Sequence, residues 1–381
     1  MNYKKIYYWS PSFVNIATNR AVINSSYAVS KYNQSFQASI INFFGEFTKF
    51  SKELNNKRIF TLNFYNSNLI NFFPKQGKIY SRISYVIIFL LSFFPLKNLI
   101  KKDQPEYLII HLITSLPLIL LIFFRFKTKF ILRISGLPKM NFLRKFLWKL
   151  AFKKIYKVTC PTKNTLTYIK SLNIISEDKL SLLYDPVINV SEINAKKKII
   201  NHQYRDYFLA VGRLTKQKNF MFLCNAFKEI VKKNKNIKIL IAGEGEDEKK
   251  IINYLQKNNL EKNIILIGHI ENIFPYFVNA RAFVLTSLWE DPGFVLVEAA
   301  FSRTLILSSN AKPGPDELIK DNYNGIVYTS ENLKSFIDQF NKILNLKDAD
   351  TIKINSLKSI KKFTLFYHYK ELKSLILDKD F

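Results

Sequence analysis

Cysteine and histidine are scarce in this sequence, and their scarcity excludes several kinds of protein. The 381 residues include 2 cysteines and 4 histidines. Two cysteines cannot form a disulfide framework or a cysteine-based metal cluster. The four histidines also lack the spacing of a metal site; they are His111, His202, His269 and His368. We therefore expect no metal centre, and a reducing, cytoplasmic compartment.

The sequence also shows no signal peptide pattern and has few acidic residues. The N-terminus reads MNYKKIYYWSPSF and has no long apolar core of the kind that a signal peptide needs. The sequence has 29 Asp and Glu against 58 Lys and Arg, a formal net charge of +29. Its 48% of apolar residues is enough to fold the chain, which excludes a disordered basic tail. The length predicts two domains, at about 150 residues per domain.

The positive charge is concentrated in the first half. Residues 1–190 contain 28 basic and 7 acidic side chains, a net of +21, whereas residues 191–381 contain 30 and 22, a net of +8. Such a charge predicts contact with a polyanion, either nucleic acid or an anionic membrane surface. No zinc finger, RNP-like strand or other nucleic-acid module accompanies the charge, so we favour the membrane and expect no nucleic acid.

Two uncharged runs lie in this half, at 83–96 and 107–124. The second has 18 residues, the threshold for a membrane span. The alternative is a buried strand over 107–112 that turns near Ser115 into a helix with Pro117 in its first turn. We favour strand and helix, because the length is marginal for a span. The first run ends near Pro95, is too short to span, and predicts a buried or interfacial helix.

Residues 139–157 interleave seven cations with aromatic side chains. The cations are Lys139, Arg144, Lys145, Lys149, Lys153, Lys154 and Lys157, and the aromatics are Phe142, Phe146, Trp148, Phe152 and Tyr156. This composition predicts a helix with an apolar and a cationic face, suited to an anionic membrane surface. The alternative is a solvated helix whose apolar stripe packs on the domain core.

The second half alternates strand-like and helical patterns. A polar, lysine-rich stretch over 191–205 predicts an interdomain linker. Apolar runs at 207–211, 237–242, 264–267, 282–286 and 304–308 follow, with helical patterns between them. This alternation predicts a parallel sheet covered by helices, and the first half opens the same way, with a strand over 4–9 and a helix over 17–31.

A glycine and two cations follow the first strand of the second half. Gly212-Arg213-Leu214 ends that strand, and Lys218 precedes the next helix. Glycine lets the backbone approach a ligand, and the two cations can converge on a diphosphate above a helix N-terminus. The alternative is a pair of ordinary surface cations in a turn.

A pair of glutamates forms a second pattern. Glu290 and Glu298 have seven residues between them, with a strand before the first and a helix that carries the second. The first carboxylate therefore lies beside the free N–H groups of a helix N-terminus, and the second lies about two turns further on. Carboxylates in such positions accept hydrogen bonds from the hydroxyls of sugars and ribose.

These residues resemble the retaining GT-B glycosyltransferases of family GT4. The resemblance runs from about Phe208 to Tyr328 and rests on Gly212-Arg213-Leu214 with Lys218-Asn219, Gly243-Glu244-Gly245, Glu290 with Glu298, Gly314-Pro315 with Glu317, and Asn324-Gly325. It implies that Arg213 and Lys218 hold the diphosphate of the donor, that Glu290 contacts the donor sugar and that Glu298 contacts the ribose. The further donor-binding residues implied are Gly212, Asp291, Gly293, Phe294 and Val295. The chain departs from the family at Pro292, which removes one backbone N–H donor.

The resemblance also implies residues in the first half. Where family members have a Gly-Gly loop after the first strand, this chain has Ser10-Pro11-Ser12-Phe13, so Ser12 and Phe13 are predicted acceptor contacts. His111 corresponds to a catalytic histidine against the donor sugar; the alternative is a satisfied core histidine. Arg133 is a candidate for an acceptor phosphate.

One stretch near the C-terminus has the form of a metal-binding motif, but we predict no metal site there. Asp348-Ala349-Asp350 has the D-x-D form of metal-dependent transferases, but no strand precedes it. We therefore predict a solvated loop or a helix cap there.

Together these observations predict an α/β protein of the GT-B class, with two Rossmann-like parallel-sheet domains facing a central cleft. Residues 1–190 would bind the acceptor and carry membrane-facing helices, residues 191–359 would bind the nucleotide sugar, and residues 360–381 would form a helix that crosses back. The predicted activity is retaining, metal-independent sugar transfer from a UDP- or GDP-linked donor, without a cofactor, to a lipid-linked glycan. This predicts a role in O-antigen, capsule or lipopolysaccharide synthesis on the inner face of the cell membrane. The alternatives are a GT-B transferase with a soluble acceptor and a non-catalytic nucleic-acid-binding module.

Overall fold

The structure is a computed structural model that describes residues 3–12, 17–65, 78–199 and 204–377. The chain divides into two compact units. Unit 1 comprises Met1–Val187 with Leu365–Phe381, and unit 2 comprises Ile188–Thr364. Each unit has its own parallel sheet, which confirms the predicted fold class. The assignment of acceptor binding to one unit and donor binding to the other stays a prediction.

Unit 1 is built on a seven-stranded parallel sheet with the order β3-β2-β1-β4-β5-β6-β7. The strands are β1 (Lys4–Trp9), β2 (Phe36–Asn42), β3 (Phe60–Asn63), β4 (Tyr107–Ile110), β5 (Lys129–Arg133), β6 (Lys157–Cys160) and β7 (Leu180–Leu182). The strand order reverses between β1 and β4. Ligands of open α/β sheets bind at such a switch point, outside the carboxyl ends of the strands.

Helices cover both faces of this sheet. They are α1 (Ala17–Tyr32), α2 (Ser51–Asn56), α3 (Lys78–Asp103), α4 (Ser115–Phe123), α5 (Phe142–Lys154) and α6 (Lys163–Ser171). In β1 successive side chains alternate between two hydrophobic clusters, with Ile6 and Tyr8 in one and Tyr7 and Trp9 in the other. A strand buried on both faces needs this uninterrupted apolar sequence.

The helix α3 is longer than the sequence predicts. It continues through Pro95 to Asp103, because the turns beyond the proline bury Leu96 and Ile100 in the core. The prediction of a helix too short to span is therefore wrong. The 21 residues Ile83–Asp103 are long and apolar enough to cross a membrane, and 28% of the apolar 18-residue stretch within them is buried. Length and composition alone do not distinguish such a span from a core helix.

Unit 2 has a six-stranded parallel sheet with the order β10-β9-β8-β11-β13-β15 and a two-stranded sheet of β12 and β14. The strands are β8 (Phe208–Val211), β9 (Ile239–Ala242), β10 (Ile264–Gly268), β11 (Phe283–Leu285), β12 (Trp289–Glu290), β13 (Ile306–Ser309), β14 (Lys312–Pro313) and β15 (Ile326–Tyr328). The switch point lies between β8 and β11. It brings the loops that follow these two strands to the same place.

The helices of unit 2 pack around a core that contains Phe208, Phe227 and Phe340. They are α7 (Val190–Lys197), α8 (Phe220–Lys233), α9 (Glu248–Lys257), α10 (Phe274–Asn279), α11 (Phe294–Phe301), α12 (Pro315–Leu318), α13 (Leu333–Leu344) and α14 (Asp350–Ser359). The predicted linker over 191–205 is wrong in its first part, which is the helix α7. Glu192 stabilises this helix by accepting hydrogen bonds from Asn189 Nδ2 at 3.0 Å and Lys196 Nζ at 2.7 Å.

The last helix, α15 (Leu365–Leu377), belongs to unit 1. Its Leu372 and Ile376 pack in the same cluster as Ile6 and Tyr8. The ring of His368 is buried and bridges Ser25 Oγ, at 2.8 Å, and the carbonyl oxygen of Tyr184, at 2.7 Å. Burial lowers the pKa of His368 to about 4, so the ring is neutral at pH 7.

Candidate functional site

The switch point of unit 2 joins the two sequence patterns of the second half. The loop after β8 carries Gly212 and Lys218, and the loop after β11 carries Glu290. Lys218 Nζ forms an ion pair with Glu290 Oε1, and the two side chains are only 13% and 9% exposed. Ser287 Oγ donates to the same carboxylate oxygen at 2.7 Å. A cation and a carboxylate that lie 72 positions apart in the sequence are therefore direct partners.

Close backbone approach makes this arrangement possible. A Cβ atom at Gly212 would lie 2.9 Å from Lys218 Cε, so the lysine stem crosses the space that any other residue would fill. A Cβ atom at Gly314 would lie 2.1 Å from the carbonyl oxygen of Pro292, and the N–H of Gly314 donates to the carbonyl of Glu290 at 2.9 Å. Glycine at these two positions keeps the loops around Lys218 and Glu290 in contact.

Three further hydrogen bonds join the two loops. The N–H of Leu288 donates to the carbonyl of Gln217 at 2.8 Å, and Gln217 Nε2 donates to the carbonyl of Trp289 at 2.9 Å. Thr286 Oγ1 donates to the carbonyl of Lys218 at 2.8 Å. These bonds fix the loop of Lys218 against the loop of Glu290, so the ion pair is held by backbone contacts as well as by charge.

Arg213 differs from Lys218 because it is solvent-exposed and its guanidinium has no ion pair or hydrogen bond with any residue that the structure describes. After the loop of Glu290, α11 begins behind Gly293, and the first amides of a helix have no acceptor within the helix. Here those amides belong to Phe294 and Val295. Glu298 is half-buried just over one turn into this helix. The switch point therefore offers a free guanidinium, an ammonium, two carboxylates and free N–H groups.

The switch point of unit 1 holds a cavity of about 700 Å³ at the carboxyl ends of β4 and β5. His111, which follows β4, lines it and is only 4% exposed. Neither ring nitrogen of His111 has a hydrogen-bond partner among the described residues. Burial, the charge of Arg133 and the proximity of His368 hold the pKa of His111 well below its ordinary value. The neutral ring can therefore donate or accept one hydrogen bond to a ligand in the cavity.

Arg133 lines the same cavity but already has partners. Its Nε donates to Asp185 Oδ1 at 2.9 Å, a second nitrogen bonds the other oxygen of Asp185, and its third nitrogen donates to Ser135 Oγ at 2.6 Å. The guanidinium is buried, and each of its three nitrogens has a protein partner. Its predicted contact with an acceptor phosphate stays a prediction. Ser12 is buried at the end of β1, and Phe13 lies outside the described residues.

The D-x-D motif is solvent-exposed and lies at the start of a helix. Asp348 Oδ1 accepts the N–H of Asp350 at 2.8 Å, and Asp350 begins α14. Among the residues that the structure describes, no group of three or more histidine, cysteine, aspartate or glutamate side chains could hold a metal ion.

The part of the chain that carries this site resembles a known protein family. Residues 191–359 match the family model described as glycosyl transferases group 1. These residues contain both loops of the switch point in unit 2, and the match bears out the glycosyltransferase resemblance that the sequence motifs carry.

Two relatives are named as glycosyltransferases, and one solved structure has a similar fold. The chain is 30% identical to an uncharacterized glycosyltransferase of Methanocaldococcus jannaschii, over 59% of this chain and 61% of that one. It is 28% identical to an Escherichia coli UDP-Gal:alpha-D-GlcNAc-diphosphoundecaprenol alpha-1,3-galactosyltransferase, over 51% of each. The chain thus spans less than two thirds of the length of these relatives. Staphylococcus aureus TarM, solved with fondaparinux, alpha-GlcNAc-glycerol and UDP, has the same fold: the TM-score is 0.76 at 16% identity, covering 98% and 100% of the two chains.

Sequence reasoning missed the residues that hold the predicted ones in place. Ser287 bonds Glu290, and Asp185 bonds Arg133. Ser287 follows β11 by two residues, and Asp185 follows β7 by three. A polar residue just beyond the carboxyl end of a parallel strand is the signal that could have identified both.

Proposed function

We propose that the chain is a retaining glycosyltransferase that moves a sugar from a UDP- or GDP-linked donor to a lipid-linked glycan acceptor of a surface polysaccharide. The observation that carries this proposal is the switch point of unit 2, where Arg213 and Lys218 follow the carboxyl end of β8 and Lys218 pairs with Glu290. The predicted roles of Gly212, Asp291, Gly293 and Glu298 in donor binding belong to the same proposal.

In this reaction the bond between the sugar C1 and the diphosphate oxygen breaks, and a bond from C1 to an acceptor oxygen forms on the same face of the sugar. The proton of the acceptor hydroxyl goes to a phosphate oxygen of the departing nucleoside diphosphate. Arg213 and Lys218 stabilise the charge that develops there, a role that a divalent metal plays in other transferases. Glu290 accepts hydrogen bonds from the sugar hydroxyls.

The proposed donor site is tested by thermal unfolding with a panel of nucleoside diphosphates, followed by transfer assays with the matching nucleotide sugars. A nucleoside diphosphate at 100 times its Kd adds about 2.7 kcal/mol to the stability of the domain that binds it, or about 5–10 °C. We expect UDP or GDP to give this shift, and transfer to continue in excess EDTA. The proposal is contradicted if none of the nucleotides stabilises the protein, and its metal independence fails if EDTA abolishes transfer and Mn²⁺ or Mg²⁺ restores it.

Membrane contact is proposed for one surface of unit 1. On α5, Trp148 and Phe152 are buried, whereas Phe142 at the other end of the helix is 82% exposed. Further exposed apolar side chains are Leu143 and Phe146 on α5 and Val86, Leu90 and Phe94 on α3. Both helices line the 700 Å³ cavity. Exposed apolar side chains next to cations fit the headgroup region of an anionic bilayer.

We expect the cations of α5 to contribute most of the electrostatic attraction to such a bilayer. Exchange of four exposed cations, Arg144, Lys145, Lys149 and Lys153, for glutamine should remove about 1 kcal/mol each and release the protein from anionic vesicles. The measurement is flotation with phosphatidylglycerol vesicles. A matched variant exchanges four exposed lysines of unit 2: Lys233, Lys235, Lys249 and Lys250. Equal flotation of the two variants would show that α5 does not contact the bilayer.

A further inference from the structure

We propose that a second cavity in unit 1, at the carboxyl ends of β2 and β3, binds a neutral sugar residue of the acceptor glycan. This inference rests on the proposed function, since it concerns the part of the acceptor that does not react. The cavity has a volume of about 340 Å³, which lies at the lower end of the range for ligand sites. None of the residues named for the donor site or for the first cavity lines it.

The lining of this cavity has the chemistry of a carbohydrate site. Three amides and three hydroxyls face it, from Asn42, Asn55, Asn63, Thr48, Ser51 and Thr61. Amides and hydroxyls both donate and accept, as the hydroxyls of a sugar do. The half-buried ring of Tyr65 also lines the cavity and offers apolar surface to the C–H face of a sugar, whereas Phe47 is buried and only backs the lining. No charged side chain is among the described lining residues, which favours a neutral sugar over a phosphate.

Part of the lining is held in place before any ligand binds. Asn42 Nδ2 donates to Asn63 Oδ1 at 2.6 Å, and Asn42 Oδ1 accepts the N–H of Phe47 at 3.0 Å. The carboxylate of Glu46 accepts the N–H groups of Phe43 and Phe44, at 3.2 and 2.8 Å, and so fixes the loop after β2. A site that is ordered in advance loses little entropy on binding.

Other groups of the lining have no partner. The side chains of Thr48, Ser51 and Asn55 are exposed and form no hydrogen bond with any residue that the structure describes. The cavity thus combines an ordered pair of amides, Asn42 and Asn63, with three polar groups that are free to bind hydroxyls.

The topology relates this cavity to the first one. In the order β3-β2-β1-β4-β5, the ends of β2 and β3 are three strand spacings from the ends of β4 and β5. At about 4.8 Å per strand the two cavities lie roughly 14 Å apart along the same edge of the sheet. A short oligosaccharide spans such a distance and a monosaccharide does not. We therefore expect preference for acceptors that carry several sugar residues.

Binding of free saccharides tests the site without donor or turnover. The probes are maltotriose, chitotriose, glucose and N-acetylglucosamine, titrated into the full chain by calorimetry. We compare Asn55→Ala with the matched control Asn56→Ala, which changes the next residue of α2 outside the cavity. We expect a trisaccharide to bind the parent and the control alike, and Asn55→Ala to weaken it about 2- to 12-fold through one lost hydrogen bond. Ser51→Trp, which fills the cavity, should abolish binding.

Two results would overturn the proposal: no neutral saccharide binds the parent, or Asn56→Ala weakens binding as much as Asn55→Ala. A transfer assay separates this outcome from failure of the proposed function. If transfer proceeds but Ser51→Trp and Asn55→Ala leave the KM ratio of short and long acceptors unchanged, the second site is wrong and the transferase proposal stands. If trisaccharides bind as expected but no nucleotide stabilises the protein, the transferase proposal is wrong.

Discussion

Arg213→Ala is expected to weaken the binding of the stabilising nucleoside diphosphate by about 10- to 150-fold without a change in the unfolding temperature. The guanidinium is exposed and has no partner among the described residues, so its removal breaks no contact of the free protein. A charge-assisted hydrogen bond to a phosphate contributes about 1.5–3 kcal/mol, which is the source of the expected factor. Calorimetric titration of the parent and the variant measures it.

Lys216 provides the matched control for this experiment. It is an exposed cation in the same loop and has no side-chain partner in the described structure. Because a general loss of positive charge would affect both positions, Lys216→Ala should bind the nucleotide within about twofold of the parent. If Arg213→Ala also binds like the parent, the diphosphate does not lie at the end of β8 and the donor site is misplaced.

Much of unit 2 could be predicted from the sequence because its elements alternate regularly. The apolar runs at 207–211 and 237–242 are the strands β8 and β9, and the helical pattern that starts near 221 is α8. Parallel strands are buried on both faces, so each appears in the sequence as a short apolar run between helices. Gly212, which follows β8, marks the end of the first of these runs.

Other elements could not be predicted, for physical reasons. Pro95 predicts the end of a helix, but burial of Leu96 and Ile100 offsets the one hydrogen bond that a proline removes. The polar segment of α7 resembles a linker, because the ion pair of Glu192 with Lys196 and the single buried apolar residue Ile193 leave only a weak apolar pattern.

The sequence also does not predict which site residues pair with one another. The motifs predict Lys218 as a phosphate ligand and Glu290 as a sugar ligand, and nothing in their spacing indicates that they pair in the free protein. The sequence predicts Arg133 as a phosphate ligand, whereas its pairing with Asp185 depends on how β5 and β7 are arranged in the sheet. Motifs predict which residue types are present, and the sheet topology decides which of them touch.

The ion pair of Lys218 and Glu290 gives the second prediction with a large effect. In the free protein each charge is buried and satisfied by the other, with Ser287 as a further donor. We expect Lys218→Met to destabilise unit 2 by about 3 kcal/mol, because it leaves a buried carboxylate without its counter-ion. Glu290→Gln should cost less, since the amide oxygen can still accept from Ser287. Both variants should lose transfer activity by a factor of about 100 or more.

The double variant, Lys218→Met with Glu290→Gln, distinguishes a structural from a chemical role for this pair. Because it removes both charges, it should recover about 1–3 kcal/mol relative to the sum of the single changes, yet regain no transfer. The measurement is urea unfolding of the full chain, followed on the transition that the nucleotide shifts to higher urea.

An exposed ion pair on α8 provides the control. Lys232 and Glu229 lie 2.8 Å apart, and their double variant should show a coupling of at most about 0.5 kcal/mol. Coupling of Lys218 and Glu290 no larger than that of the control pair would mean that the buried pair is not formed in solution. Transfer by the double variant at the rate of the parent would remove both residues from the proposed mechanism.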